Sequence, residues 1–179
     1  MHPRAGVLAC FRLATLSAAP PLVIGFAEYV DIPEWHISRL RAKVDTGARS
    51  SALHVENIRE VGKERVRFEV RLHRRHEDRR VVVEASVTRR SRVKPSNGMP
   101  AWRYFVAARV KIGPFEDEIE MSLVDRQHMI FRMLIGRSAL SHRFLVDVSK
   151  RYVLSARRPG HKTRKLKKKK KPKEAESSQ

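Results

Sequence analysis

At 179 residues, 41% of them apolar, the chain is long enough for one domain with a real core plus tails. Its net charge of +20 is uneven: residues 156–179 carry 11 Lys/Arg against 2 acids, yet the remainder still stands at +11. Acidic partners are therefore favoured, no run approaches the roughly 18 apolar residues of a membrane span, and the lone Cys10 excludes an internal disulfide framework and suits a reducing compartment, the cytoplasm.

Residues 1–20 read as a disordered leader; the apolar stretch 5–19 resembles a short signal segment, but Arg12 interrupts it. Pro20-Pro21 punctuates the leader, and a single folded domain is expected over residues 21–155. "LVIGFAEYVDI" (Leu22–Ile32) reads as its first strand. Next, Leu40, Ala42 and Val44 face one way and Arg41, Lys43 and Asp45 the other, with the period of two expected of a strand. Asp45-Thr46-Gly47-Ala48 follows directly, with Gly47 expected to permit a turn that a Cβ would resist. Taken alone, the triplet serves equally as a turn-capping aspartate or as half of an acid–base pair.

"RVRFEVRL" alternates cleanly, with Val66, Phe68, Val70 and Leu72 on one face, and "RRHEDRR" (Arg74–Arg80) is a charged turn before the strand Val81–Val87. "KPSNGMP" (Lys94–Pro100) holds Asn97-Gly98, the strongest hairpin signal in the chain. The following strand alternates as Trp102, Tyr104, Val106, Ala108, Val110 and Ile112, which assigns Trp102 and Tyr104 to the core; Gly113-Pro114 turns it into "FEDEIEMSLV". "GRSALSHRF" (Gly136–Phe144) is the one convincing short helix, and "FLVDV" and "YVLS" close the domain near residue 155. Strands joined by turns without helical periods between them argue an all-β domain. The low-complexity tail 156–179 is too charged to pack and reads as disordered, with a ribosome or RNA contact as its functional possibility.

The order of Asp-Thr-Gly-Ala after a strand, a glycine-tipped hairpin in mid-chain, and "MLIG" before a helix resembles the retropepsin-like aspartic peptidases, which build a closed β-barrel. "AKVDTGARSSALH" and "SLVDRQHMIFRMLIGRSALSHRFLVDVSKRYVL" are similar, more closely, to a bacterial family often labelled an ATP-dependent zinc protease and associated with ligases that add glutamates to a ribosomal protein. The resemblance spans about residues 22–155. It implies that Asp45 is the catalytic aspartate, that Thr46 braces the two halves of the site, that Gly47 and Ala48 complete the loop, and that Leu134, Ile135 and Gly136 pack beneath it. The hairpin at Ser96, Asn97 and Gly98 falls where a flap contacts substrate.

Hydrolysis by this route needs one carboxylate to take a proton from water and one carboxylic acid to polarise the scissile carbonyl. Two close carboxyls cannot both ionise, so they share a proton and supply both states, titrating as a pair. The chain has one Asp-Thr-Gly; Asp125 and Asp147 lack its context, so the second aspartate is expected from a second copy across a two-fold axis. Arg126 and Arg137 are candidates for a substrate carboxylate. His54 is expected to be a packed or surface histidine, and His128 and Met129 have no assigned role. No cofactor or metal is expected: the sequence lacks a His-Glu-x-x-His zinc motif, His73 and His76 sit among arginines that repel a cation, and no phosphate loop accounts for ATP. These features point to a homodimeric aspartic peptidase acting on acidic peptide. The alternative is a non-catalytic basic module that uses the same barrel on ribosome or RNA.

Overall fold

Period-two alternation becomes sheet along most of the chain. The computed structural model describes residues 20–73, 79–93 and 100–155. The leader up to residue 19, most of the charged turn including His76, the hairpin tip with Ser96, Asn97 and Gly98, and the tail 156–179 lie outside the described residues. The strands are β1 (Leu22–Gly25), β2 (Ala27–Ile32), β3 (Ile37–Val44), β4 (Ser51–Glu60), β5 (Arg65–Arg71), β6 (Arg80–Val93), β7 (Ala101–Ile112), β8 (Phe115–Val124), β9 (Met133–Ile135) and β10 (Phe144–Asp147). A single turn of α-helix, α1 (Arg137–Leu140), lies between β9 and β10. Among the described residues no helix is long and apolar enough to cross a membrane.

The pairings run in a ring: β2 with β3, β3 with β9, β9 with β4, β4 with β8, β8 with β7, and β7 back to β2. Closure is partial, because β2 meets β7 at one registered pair, Asp31 with Lys111. β5 and β6 form a second layer that leaves the ring at β4 and returns at β7. The expected faces fill the interior: Leu40, Ala42 and Val44 from β3, Val66, Phe68 and Val70 from β5, and Val106, Ala108, Val110 and Ile112 from β7 are all buried. Trp35 meets Phe68 edge-on at 5.6 Å. Burying side chains of this size contributes roughly 1.5–3 kcal/mol each, which makes the barrel interior the main source of stability.

Four expectations need correction. Leu22–Ile32 is two strands, because the Phe26 N–H leaves the ladder and donates to the Lys150 carbonyl at 2.8 Å. β1 then pairs parallel with β10 and β2 antiparallel with β3. Trp102 is not core but 73% exposed. It keeps the parity of Val106, but β7 has buried residues only from Phe105 onward, and Ala101 and Trp102 at its start are exposed. Tyr104, between the two, is partly buried and bonds Glu60 through its hydroxyl. The helix is shorter than Gly136–Phe144, ending where Ser141 turns extended (ψ 132°).

The fourth correction concerns "YVLS", which is not a strand. The Tyr152 N–H donates to the Ala27 carbonyl (2.7 Å), and the other three N–H groups go to one buried carboxylate instead of a ladder. Glu28 Oε1 accepts from Val153 (2.8 Å), Leu154 (3.3 Å) and Gly25 (3.0 Å), and Oε2 from the Ser155 N–H (3.0 Å) and hydroxyl. The Ser155 hydroxyl oxygen in turn accepts from the Tyr29 N–H at 2.7 Å. Residues 152–155 are thus strapped to the β1–β2 junction.

Candidate active site

β3 delivers Asp45 to the surface of the barrel. Its N–H still bonds the Ile135 carbonyl (2.9 Å), continuing the parallel β3–β9 ladder by one residue, and then the chain turns. Asp45 Oδ1 accepts the N–H groups of Gly47 (3.1 Å) and Ala48 (3.2 Å). Oδ2 accepts no hydrogen bond among the described residues, so one carboxylate oxygen is fixed and the other is available for chemistry.

Gly47 has no positive φ, contrary to the reason expected for it. Its value is space: a Cβ would lie 3.3 Å from Asp45 Oδ1. The loop is supported from beneath by the β9–α1 junction. The Arg137 N–H donates to the Ala48 carbonyl (2.9 Å) and the Ser138 N–H to the Arg49 carbonyl (3.0 Å). Gly136 passes so close to the chain at Ser50 that a Cβ would meet the Ser50 carbonyl carbon and oxygen at 2.5 Å each. The Gly136 N–H donates to Ser51 Oγ (3.2 Å). Leu134 and Ile135 are buried, and the Ile135 carbonyl accepts the Asp45 N–H.

The fixed carboxylate opens on a cleft of about 1300 Å³. Asp45, Gly47, Ala48, Leu134, Asp125 and Arg126 line it, whereas Thr46, Arg137 and Asp147 do not. Arg137 instead clamps the loop, donating from Nη1 to the carbonyls of Thr46 (3.0 Å) and Gly47 (3.1 Å). Asp147 is held by Lys150 (2.8 Å) and Ser149, which bring its pKa down to about 2.

Sequence reading missed much of the basic wall. Arg49, Arg89, Arg92 and Arg103 line the cleft with Arg126, as do His128 and Met129. Arg89 is engaged with Glu120, its Nη2 lying 2.8 Å from Oε2, and it stacks 3.5 Å over the Phe105 ring. Burial alone would raise Glu120, but the hydrogen bonds from Arg89 and Thr88 hold it below the usual carboxylate range. Among the described residues Arg92, Arg103 and Arg126 have no carboxylate within ion-pairing distance. Burial lowers Arg126 from the usual guanidinium value; the nearby Asp45 charge opposes that shift and the like charge of Arg103 adds to it. The cleft therefore sets three acids, Asp45, Glu120 and Asp125, against five arginines, of which Arg89 is paired with Glu120.

His54 is fully buried behind this wall. Its N–H donates to the Arg132 carbonyl (2.7 Å), and its Nδ1 accepts the Arg126 N–H (2.7 Å). As for a metal, no three His, Cys, Asp or Glu side chains converge as a ligand set among the described residues, so the zinc label of the resembled family finds no fitting site there.

The family model described as RimB-like, retropepsin-like aspartic endopeptidase RimB, matches residues 23–157. A probable alpha-L-glutamate ligase of Shewanella pealeana is 36% identical over 137 residues, covering 74% of this chain and 30% of that protein. A second, from Parasynechococcus marenigrum, is 34% identical over 131 residues, 70% of this chain and 28% of that protein. The chain thus spans less than a third of the length of these relatives. The crystal structure of Lpg0085 from Legionella pneumophila, described as of unknown function, superimposes with a TM-score of 0.63 at 26% identity. It covers 74% of this chain and 98% of that one.

Proposed function

Since the chain belongs to the RimB-like family of retropepsin-like aspartic endopeptidases, we propose that it hydrolyses peptide bonds in acidic, glutamate-rich chains through a dyad of Asp45 residues in a homodimer. The observation that carries this reading is Asp45 itself, with Oδ1 pinned by two loop N–H groups and Oδ2 open to a cleft walled by arginine. In the dyad one carboxylate takes a proton from water as the water attacks the carbonyl carbon, while its protonated partner donates to the carbonyl oxygen. Collapse of the tetrahedral intermediate returns a proton to the leaving nitrogen and restores the shared state. Thr46 is exposed at the loop tip beside Asp45, where a hydroxyl can reach a second copy.

Arg92, Arg103 and Arg126 supply the charge that selects the substrate. A neutral peptide would leave them uncompensated, whereas glutamate side chains or a terminal carboxylate can accept their hydrogen bonds. The relatives' names give this selection a context, since chains extended by glutamate ligation are acidic peptides of this kind. The cytoplasm is the matching compartment. The basic tail leaves room for a non-catalytic reading in which the barrel sits on ribosome or RNA, but an intact Asp-Thr-Gly-Ala loop supported from two sides favours catalysis.

The test is to incubate the protein and its Asp45→Asn variant with glutamylated and unmodified peptides and to read products by mass spectrometry. The wild type should cleave the glutamylated peptide in preference, and Asp45→Asn should retain the fold but lose at least about 10²–10⁴-fold in rate, as expected for removing an acid–base group. Near wild-type cleavage by Asp45→Asn would overturn the aspartic mechanism.

A further inference from the structure

His54 has no access to the cleft, yet it holds the cleft's arginine wall. It sits on β4, fully buried. Because the Arg126 N–H donates to Nδ1 at 2.7 Å, that nitrogen must carry a lone pair, and the proton of the neutral ring is on Nε2. Nε2 faces Glu56 Oε1 at 3.3 Å, an ion-pairing distance without hydrogen-bond alignment. Among the described residues the charged groups around the ring fall into three neighbourhoods. Glu56 shares its strand and is itself gripped by Arg71 of β5 (3.4 Å) and Arg80 of β6 (3.6 Å). Asp125 and Arg126 come from the loop after β8, with Asp125 Oδ1 3.6 Å from Nδ1. Buried Arg132 precedes β9 and donates to the Arg126 and Gln127 carbonyls at 3.4 Å each.

We propose that His54 is a positioning residue whose neutral Nδ1 holds the 125–127 loop, and with it Arg126 and Asp125, against the cleft, and that protonation of Nδ1 frees the Arg126 amide and draws Asp125 inward. The exchange is stoichiometric. A proton arriving on Nδ1 removes the acceptor of the Arg126 N–H, and the new N–H finds its nearest anionic acceptor in Asp125. The Arg126 N–H therefore loses its acceptor, the loop is held through the Asp125 side chain instead, and one cleft carboxylate turns inward. Burial first and Arg132 second hold the ring's pKa below its ordinary value, against the opposing pull of Glu56 and Asp125. The closed arrangement consequently persists at neutral pH and is lost only below the ordinary histidine value of about 6.5.

The substrate half of this inference rests on the peptidase reading; the loop half does not, and the experiment separates them. His54→Phe removes the acceptor, and His54→Asn keeps one near the place of Nδ1. Three quantities are measured for wild type and both variants from about pH 5 to 8: the hydrogen-exchange protection of the Arg126 amide relative to core strands, and KM and kcat on an acidic peptide. In His54→Phe the Arg126 amide should lose protection by roughly 3- to 10-fold at every pH, with KM rising more than kcat falls, and His54→Asn should recover most of both. Wild type should lose the same protection only on the acid side, where His54→Phe changes no further.

Equal Arg126 protection in wild type and His54→Phe across the range would overturn the proposal, as would His54→Asn behaving like His54→Phe with core protection intact. If His54→Phe fails to fold, the wild-type titration and His54→Asn still decide: no acid loss of Arg126 protection in wild type refutes it. A wild type that cleaves no acidic peptide yet shows the protection pattern would defeat the peptidase reading and leave the positioning role standing.

Discussion

At the scale of single residues, two glycines of the site separate stability from chemistry. Gly136 has ordinary extended geometry (φ −86°), so its need for glycine comes from the backbone at Ser50, 2.5 Å from where a Cβ would stand. Backbone cannot swing aside as a flexible side chain can. Gly136→Ala should therefore destabilise the domain by about 1–3 kcal/mol, read as a lower denaturant midpoint, and peptide hydrolysis should fall with it. Gly47 differs, because the tight contact there is Asp45 Oδ1 at 3.3 Å, a side-chain atom on an exposed loop. Gly47→Ala should leave the midpoint within about 0.5 kcal/mol of wild type yet lower kcat through displacement of the carboxylate. A variant that lost stability and kept its rate would show that the loop, not the carboxylate, absorbs the contact.

At the scale of elements, the Glu28 strap is the feature with the largest stake in one side chain. All of its partners are donors, four backbone N–H groups and one hydroxyl, so only a carboxylate satisfies the site. Glu28→Gln would turn an amide NH₂ toward those donors. It should cost on the order of 2–3 kcal/mol, given the greater strength of hydrogen bonds to a buried charge, and should raise hydrogen exchange at residues 153–155 before the barrel strands respond. Uniform exchange across the domain would show the strap to be part of the global unit. This element was illegible in the sequence, since Glu28 and Ser155 are 127 residues apart and "YVLS" alternates well enough to pass for a strand. By contrast, β3, β5 and β7 were legible because each buries one face in a continuous layer, where period two suffices. Trp102 marks the limit of that rule, as parity specifies a face but not where along the strand burial begins. The Asp45 loop and its Leu134–Gly136 support were readable as contiguous motifs. Arg89, Arg92 and Arg103 were not, because the register shift between Val87 and Arg89 and the β6–β7 pairing decide which arginines reach the cleft.

At the scale of the whole molecule, the proposed chemistry asks for two carboxyls that share a proton, and the cleft offers Asp45, Asp125 and Glu120, the last already paired with Arg89. Asp125 is a poor second member. Its Oδ1 already accepts the Gln127 N–H at 2.9 Å and lies 3.6 Å from His54, so it is committed to holding the 125–127 loop. Asp147 is outside the cleft and bound to Lys150. A second Asp45, brought across a two-fold axis with Thr46 beside it, meets the requirement with identical geometry on both sides. If so, specific activity should fall on dilution as dimers dissociate, and adding excess Asp45→Asn should suppress wild-type activity by trapping wild-type chains in mixed dimers that lack the shared proton. With total protein held constant, activity should follow the random-pairing curve, proportional to the square of the wild-type fraction if mixed dimers are inert. Thr46→Ala should shift the dilution midpoint to higher protein concentration by roughly 2- to 10-fold, the range expected for losing hydrogen bonds that net about 0.5–1.5 kcal/mol, while leaving the unfolding midpoint of each chain nearly unchanged. Sedimentation of a monomer that remains fully active at every dilution, unaffected by Asp45→Asn, would reject the dimer and move the second carboxyl to Asp125, where Asp125→Asn would then have to abolish hydrolysis.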